Sequence, residues 1–499
     1  MTEVIIIGAG IGGLATAITA ASRGCTVNVY ERASRAGGKA GVTTIDGVEV
    51  DTGPSVVTLP EVFDKLFRAA GSQLTDEVTL RTEEPAFRYL YPDGAVLDMH
   101  HDIEATLDSI RGTLGDKAAE QMSAFLHYAQ DIWRAGAPNF VYGKAPSLGT
   151  VMRLGLTKLG DVRRIDSMRS MYRGICSYVT DPHLRMLLAR YATYNGSNVL
   201  TAPATLNCIA HVELALGGFG IQGGIGALID ALVAAAERIG VRFHFGNPIE
   251  KILVENGRVA GIETGDGSMI RAPVVVANAD VGHVAQHLLP AGQRRTLTPP
   301  TPPSMSGWTG IVRAKKGLAP RPGHAVLFAE PYLDEFTDIF DRDRPPQTPT
   351  VYMCAQQTCH GRAGWPEHEP LFIMATAPAE PAKGAREPQI FKRLQNEVLS
   401  RLRTTQLIRS DDELVWARTP SELAKAFPGS RGSIYGAASN SAMAAFKRPP
   451  NRIKSLPGLY LASGSAHPGG GLPLCALSGM AAAEALVADL GPNTLRTAS

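Results

Sequence analysis

Chemistry is first legible at Gly8-Ala9-Gly10-Ile11-Gly12-Gly13, which fits G-x-G-x-x-G with Gly12 as an extra glycine. In this spacing Gly8 permits a tight turn, Gly10 lets the backbone approach a pyrophosphate, and Gly13 lets the next helix pack on the preceding strand. Glu31 follows roughly 20 positions on, where an acid binds ribose hydroxyls. The chemistry these residues suit is capture of a dinucleotide.

Three elements must hold them. Val4–Ile7 is an apolar, β-branched run short enough for a buried parallel strand. Leu14–Arg23 reads as a helix with Gly24 as its cap, and Thr26–Tyr30 as a second strand ending at Glu31. The helix N-terminus offers unpaired N–H groups and a partial positive charge to phosphates. A lone G-x-G-x-x-G would be weak; strand, turn, helix, strand and acid in this order make it specific. The plain alternative is a tight βα turn without a ligand. The motif does not separate NAD from FAD.

The remaining composition sets bounds. The 499 residues suffice for two or more domains with large cores. A net charge of +2 and 6% aromatic residues leave no nucleic-acid footprint. Six scattered cysteines (Cys25, Cys176, Cys208, Cys354, Cys359, Cys475) suit a reduced, cytoplasmic protein. Cys354, Cys359 and His360 lie close together, but the spacing is not C-x-x-C and no second cluster accompanies it, so no metal is expected. No cleavable leader is expected before the first strand, and no uninterrupted apolar run of 18 residues predicts a membrane span. There is no internal repeat, and Thr298–Pro303 is the densest breaker segment and a connector.

The segment Glu31-Arg32-Ala33-Ser34-Arg35-Ala36-Gly37-Gly38-Lys39-Ala40 resembles the extension of FAD enzymes in the amine oxidase and carotenoid desaturase superfamily. Four further segments are similar to bacterial carotenoid desaturases: VEVDTGPSVVTLPEVFDKLF (48–67), RYATYNGSNVLTAPATLNCIAHVELALGGFGIQGGIGAL (190–228), SMSGWTGIVRA (304–314) and LYLASGSAHPGGGLPLCALSGMAAAEAL (459–486). The resemblance covers essentially the whole chain. YPDGAVLDMHHD (91–102), GSIYGAASN (432–440) and HPGGGLPLCALSG (467–479) look more like the hydroxyneurosporene, or 1-hydroxycarotenoid 3,4-desaturase, branch than like phytoene desaturases.

The resemblance implies an α/β fold: a Rossmann-type FAD-binding domain with an interleaved α+β substrate domain and a helical excursion. The FAD domain is expected from residues 1–75, 215–290 and 450–499, the substrate domain from 76–102, 176–214 and 291–449, and the helical, membrane-facing region from 103–175. Hairpins are expected at Asp93-Gly94, Asn256-Gly257 and Asp266-Gly267, an amphipathic helix from about Ile225, and a buried strand at Val274–Ala277.

Family roles carry over onto matching positions. Gly8, Gly10, Gly12, Gly13 and Glu31 would hold the ADP half of FAD. Arg32, Gly38 and Lys39 would lie near its phosphates and ribityl chain. Gly53, Pro54 and Ser55 would pass the isoalloxazine, and Ile249 would lend backbone atoms to the adenine. Asn278 joins the cofactor set at the end of its strand, and Gly464, Leu472, Pro473 and Leu474 close the site through the C-terminal turn and helix start. The implied reaction is desaturation of an acyclic carotenoid, with hydride passing to the flavin and a proton leaving the adjacent carbon. Oxygen or a quinone would be the electron acceptor, since no second nucleotide motif is present.

No persuasive catalytic base emerges. His467 is the best candidate by position, with a turn-shaping role as the plainer reading. Glu213 could face the pocket, against a solvated or capping role. Tyr191 and Tyr194 read as packing residues, and Arg431 as a loop residue able to meet a hydroxyl end-group. A polyene lipid substrate demands peripheral contact with a membrane, and the basic amphipathic stretch 151–175 is one candidate surface. The competing readings are a phytoene or carotene desaturase or isomerase, a related polyene oxidoreductase, an amine oxidase, and a non-catalytic FAD protein. The absence of an obvious aromatic pair near the C-terminal turn speaks against the amine oxidase.

Overall fold

Val4, Ile5 and Ile6 are apolar on both faces of their strand, so Glu3–Ile7 takes the fully buried centre of a parallel sheet. The computed structural model describes residues 2–146, 164–299, 301–317 and 321–491. Across the sheet the strands run Leu459–Leu461, Val274–Ala277, Glu3–Ile7, Thr26–Glu31 and Arg242–Phe245, all parallel. Val4 pairs with Val274 on one side and Val27 on the other. Strands from the beginning, middle and end of the chain therefore form one sheet, which is what brings distant turns to one edge.

The first helix is Ile11–Ala21 rather than Leu14–Arg23, because Gly10 already serves as its N-cap and Ser22 ends it. Gly24 lies beyond the cap at φ +85° and turns the chain into the second strand. Against this helix lies the last one, Leu472–Leu490. Their approach is close: a methyl group on Gly479 would stand 2.2 Å from the Gly12 carbonyl oxygen. Thr16 Oγ1 spans the gap by donating to the Gly479 carbonyl at 3.1 Å. Leu472–Leu490 is long and apolar enough to cross a membrane by length and composition, although Glu484 and Asp489 interrupt its apolar run. Here Ala476, Ala482, Ala483 and Leu486 are buried in the core of the parallel-sheet layer.

Beside this layer, Ile249–Glu255, Arg258–Thr264 and Met269–Arg271 form a small antiparallel sheet. Asn256 (φ +51°) and Gly257 (φ +72°) make the two-residue turn that their sequence signals. A seven-stranded sheet forms the second body: Glu413–Arg418, Ser306–Lys315, His368–Ala377, Val351–Ala355, His324–Leu327, Phe87–Leu90 and Val96–Met99. One pairing, His324–Leu327 with Phe87–Leu90, is parallel; the rest are antiparallel. Helix Pro388–Thr404 covers part of it through Phe391, Leu394, Val398 and Leu402. Helices Ile103–Leu114, Asp116–Phe140, Pro182–Arg190 and Cys208–Leu214 pack against Tyr89, Tyr91, Phe328 and Tyr332. Of the basic stretch 151–175, residues 151–163 lie outside the described residues; beyond them, Met168 is 92% exposed and Arg169 pairs with Asp166.

Candidate functional site

The carboxyl ends of Glu3–Ile7, Thr26–Glu31 and Val274–Ala277 open onto a cavity of about 700 Å³ that continues to the seven-stranded sheet. Its first wall is the glycine turn. Gly8 adopts φ +97°, which only glycine takes up without strain, and its N–H donates to the Tyr30 carbonyl at 2.8 Å. Glu31 holds the turn as well as facing the cavity: Oε2 accepts from Ala9 N–H and Oε1 from Ala33 N–H, both at 2.8 Å. Asn278 Oδ1 accepts from Gly10 N–H at 3.0 Å, and its Nδ2 donates to the Ala462 carbonyl. One amide thus ties together the first turn, the middle strand and the last strand.

The side walls come from the extension after Glu31. Gly37 N–H donates to the Ala9 carbonyl at 2.9 Å and lays this segment along the turn. Lys39 is half-buried and donates to the Ser433 carbonyl at 2.7 Å; desolvation pushes its ammonium below the usual range, and Asp280 opposes that shift. Arg32 donates to the Ala426 carbonyl. His283, also in the wall, is pushed down to about 4, first by burial and then by His287 and Arg32.

The far end is walled by Gly53, Pro54, Phe372, Met374, Ile434 and Tyr435, with Gly464, Gly471, Leu472 and Cys475 closing it from the C-terminal turn. The N-terminus of Leu472–Leu490 opens here, so unpaired helix N–H groups flank the cavity at both of its ends.

Two structural clamps were not read from the sequence. Asp51 accepts from Ile225 and Gly226 N–H at 2.9 and 3.2 Å and from Arg362 Nη2 at 3.1 Å. The acid of the Asp51-Thr52-Gly53-Pro54 motif therefore secures the middle helix to the Gly53–Pro54 loop. Burial pushes the Asp51 carboxyl up, and Arg362 pulls against that. Arg448, pushed down to about 10 by burial, donates to the carbonyls of Ala437 (2.7 Å), Gly464 (3.0 Å) and Tyr435 (3.4 Å). Asp51 is visible in the sequence as part of a motif that does not disclose this role, and Arg448 carries no sequence signal.

Of the residues named in advance, Gly8, Gly10, Gly12, Glu31, Arg32, Gly38, Lys39, Gly53, Pro54, Ile249, Asn278, Gly464 and Leu472 line the cavity. Gly13, Ser55, Pro473, Leu474 and His467 are not part of that lining. Gly13 sits at the helix–strand contact, where a methyl group would stand 2.1 Å from the Gly8 carbonyl oxygen. Pro473 is in the first turn of the last helix. The His467 ring bonds the Gly143 carbonyl through Nε2 at 2.9 Å, and burial lowers its pKa. Arg431 donates to the Glu380 carbonyl at 2.7 Å. Glu213 is buried and accepts from Tyr191 Oη at 3.0 Å, so it is neither solvated nor a cap.

Cys354 and Cys359 do converge with a histidine, but the partner is chiefly His324, from the neighbouring strand. The three donor atoms lie within 4.8 Å of one another. His360 Nε2 stands 4.0 Å from Cys354 Sγ, while its Nδ1 accepts from Ile221 N–H. Among the described residues that leaves three converging donors, one fewer than a closed structural zinc site uses.

The residues present fit FAD. A methyl group on Gly10 would stand 2.8 Å from Asn278 Oδ1, so this stretch of wall is pared to backbone where a pyrophosphate must approach. An acid at one end, a half-buried lysine along the side and a helix N-terminus at each end complete the match.

Residues 11–311 match the family described as flavin containing amine oxidoreductase. Among solved structures, an oxidoreductase from Methanosarcina mazei aligns at a TM-score of 0.60 and 18% identity over 97% of this chain and 100% of its own. Cyclohexylamine oxidase from Brevibacterium oxydans aligns at 0.60 and 15% over 98% and 99%. These likenesses show the fold, and with the family match they define an FAD-dependent oxidoreductase. Hydroxyneurosporene desaturase of Rubrivivax gelatinosus is 35% identical over 98% of this chain and 94% of its own length. The same-named protein of Rhodobacter capsulatus is 35% identical over 98% of both. The 1-hydroxycarotenoid 3,4-desaturase of a Flavobacterium species is 30% identical over 99% and 100%. Within the flavin containing amine oxidoreductases, this chain belongs to the carotenoid desaturase family.

Proposed function

We propose that the protein desaturates an acyclic carotenoid, introducing the 3,4 double bond of a 1-hydroxy carotenoid. The observation that carries this reading is the single cavity running from a dinucleotide turn to an apolar wall on the seven-stranded sheet. The near-full-length likeness to hydroxyneurosporene desaturases supports it. Bound FAD supplies the hydride acceptor. Gly8–Gly13, Glu31, Lys39 and Asn278 hold and orient the cofactor. N–H groups at the start of Leu472–Leu490 favour negative charge at the far end of the cavity. Phe372, Met374 and Ile434 place the polyene and keep water out.

An allylic C–H is already activated by conjugation, so no strong acid–base pair is needed, and the placement of His467 outside the cavity lining is consistent with that. Electrons then leave to oxygen or a quinone. A membrane-dissolved substrate calls for peripheral docking, and the exposed Tyr142 and Met168, which flank residues 147–163, support a surface in that region.

The test is anaerobic flavin bleaching with liposomes that each carry one candidate. A 1-hydroxy carotenoid should bleach the flavin, and an amine panel should not. Bleaching by phytoene alone would keep the family chemistry and move the substrate. Bleaching by none of the carotenoids would overturn the reading.

A further inference from the structure

Behind the far wall of the cavity lies a polar island inside an aromatic shell. Arg190, 8% exposed, has its guanidinium over the rings of Tyr194, Tyr352, Phe87 and Tyr89 at 5.2 to 5.9 Å. Among the described residues it donates to Tyr194 Oη, 3.1 Å from Nη1. Glu213, 5% exposed, is near enough to act on Arg190 electrostatically. Its Oε1 is engaged by Tyr191, but Oε2 has no hydrogen-bond partner among the described residues; nor do the hydroxyls of Tyr89 and Tyr332.

Buried polar atoms are almost always paired, because an unpaired one costs about 1–3 kcal/mol. An unpaired carboxylate oxygen close to a guanidinium that can donate is a mould for a group that both donates and accepts. A hydroxyl does both; a protonated amine only donates, and a hydrocarbon end does neither.

The island adjoins the reaction end of the cavity. Tyr352, which stacks on Arg190, neighbours Ser55, next to the cavity-lining Pro54, and packs edge-on against Phe372, another lining residue, at 6.4 Å. Gly196, just beyond Tyr194, meets the ring of Tyr435, which also lines the cavity. On C1 of a substrate desaturated at C3–C4, the hydroxyl oxygen stands three bonds from the reacting pair, so its subsite has to be at this end.

We propose that Arg190, Tyr194 and Glu213 form an end-group subsite that takes the terminal hydroxyl of an oxygenated acyclic polyene, with Glu213 Oε2 accepting from it and the Arg190 guanidinium donating to it. The inference rests on the reading of the cavity as a carotenoid desaturase site. It makes Arg190 and Glu213 specificity residues, while the flavin chemistry is left to the other wall.

The experiment compares two polyenes in phosphatidylcholine liposomes, one bearing a 1-hydroxyl and the other lacking it but otherwise identical. Rates of anaerobic flavin bleaching give a kcat/KM ratio for the holoenzyme and for Glu213→Gln, Tyr194→Phe and Arg190→Met, each checked for flavin content. The holoenzyme should favour the hydroxylated polyene by about ten- to hundred-fold, and Glu213→Gln and Arg190→Met should collapse that ratio chiefly through the hydroxylated substrate. Tyr194→Phe, the mildest change, should lower the ratio less and keeps the test open if Arg190→Met fails to fold. A holoenzyme without preference, or variants that retain flavin and the full ratio, would overturn the subsite and leave the desaturase reading standing. A flavin-loaded holoenzyme that oxidises neither polyene would overturn both.

Discussion

At the nucleotide end of the cavity the wall is largely backbone: a glycine turn, the Gly37–Gly38 segment and the N-terminus of Ile11–Ala21, pinned by Asn278. At the other end it is side chains: Phe372, Met374, Ile434 and Tyr435, with the Arg190–Glu213 island behind them. A backbone wall recognises what all dinucleotides share. A side-chain wall can be re-cut for a new substrate without disturbing the cofactor. The two ends should therefore fail differently when altered.

The largest effect is expected from Gly10→Val. The added side chain would meet Asn278 Oδ1 and fill the approach to the pyrophosphate. Purified variant should carry essentially no flavin by absorbance, while its far-ultraviolet circular dichroism stays native. Stoichiometric flavin in this variant would remove the turn from the site.

Asn278→Ala comes next. It leaves Gly10 N–H and the Ala462 carbonyl without their partner, at about 2 kcal/mol. Thermal unfolding should shift downward and flavin dissociate faster, with the preference between polyenes unchanged. A changed preference would mean that the two ends are coupled.

A smaller, pH-dependent effect follows from His283 in the nucleotide wall. Its pKa is about 4 folded against an ordinary 6.5, so between these values the unfolded chain binds more protons. Apoprotein stability should then fall as the pH drops from about 6.5 to 4 and be insensitive to this group above that window. His283→Asn should flatten the slope in a urea titration series; an unchanged slope would assign it to other groups.

The smallest effect is expected for His467→Ala. Its ring serves the Gly143 carbonyl and lies outside the cavity lining. Flavin reduction should keep its wild-type rate at equal flavin content, and a large slowing would restore His467 as a chemical group.

The same contrast explains what could be read from the chain. Gly8–Gly13 and Glu31 announce themselves because a βα turn is local: sequence spacing is nearly spatial spacing. Strand Val274–Ala277 and the Asn256-Gly257 hairpin are legible for the same reason. The limits of the first helix were misplaced because glycines that usually break helices here admit a neighbouring helix, at Gly12 and Gly13. The island is not legible in the sequence because Phe87, Tyr89, Arg190, Tyr332 and Tyr352 come from distant segments and each alone reads as packing, while Glu213, which the sequence does single out, shows no partner there. Cys354 and Cys359 were noticed, but His324 was not, since only the strand pairing places it opposite Cys354.

The most direct test of the central claim is the product of one anaerobic turnover. Flavin-loaded protein is mixed with liposomes containing a 1-hydroxy carotenoid, and the extracted pigment is analysed by mass and absorption against flavin bleached. The account predicts one product molecule per flavin, lighter by two hydrogens and lengthened by one conjugated double bond. Bleaching without that product, or a bound flavin that stays oxidised with every carotenoid, would contradict it.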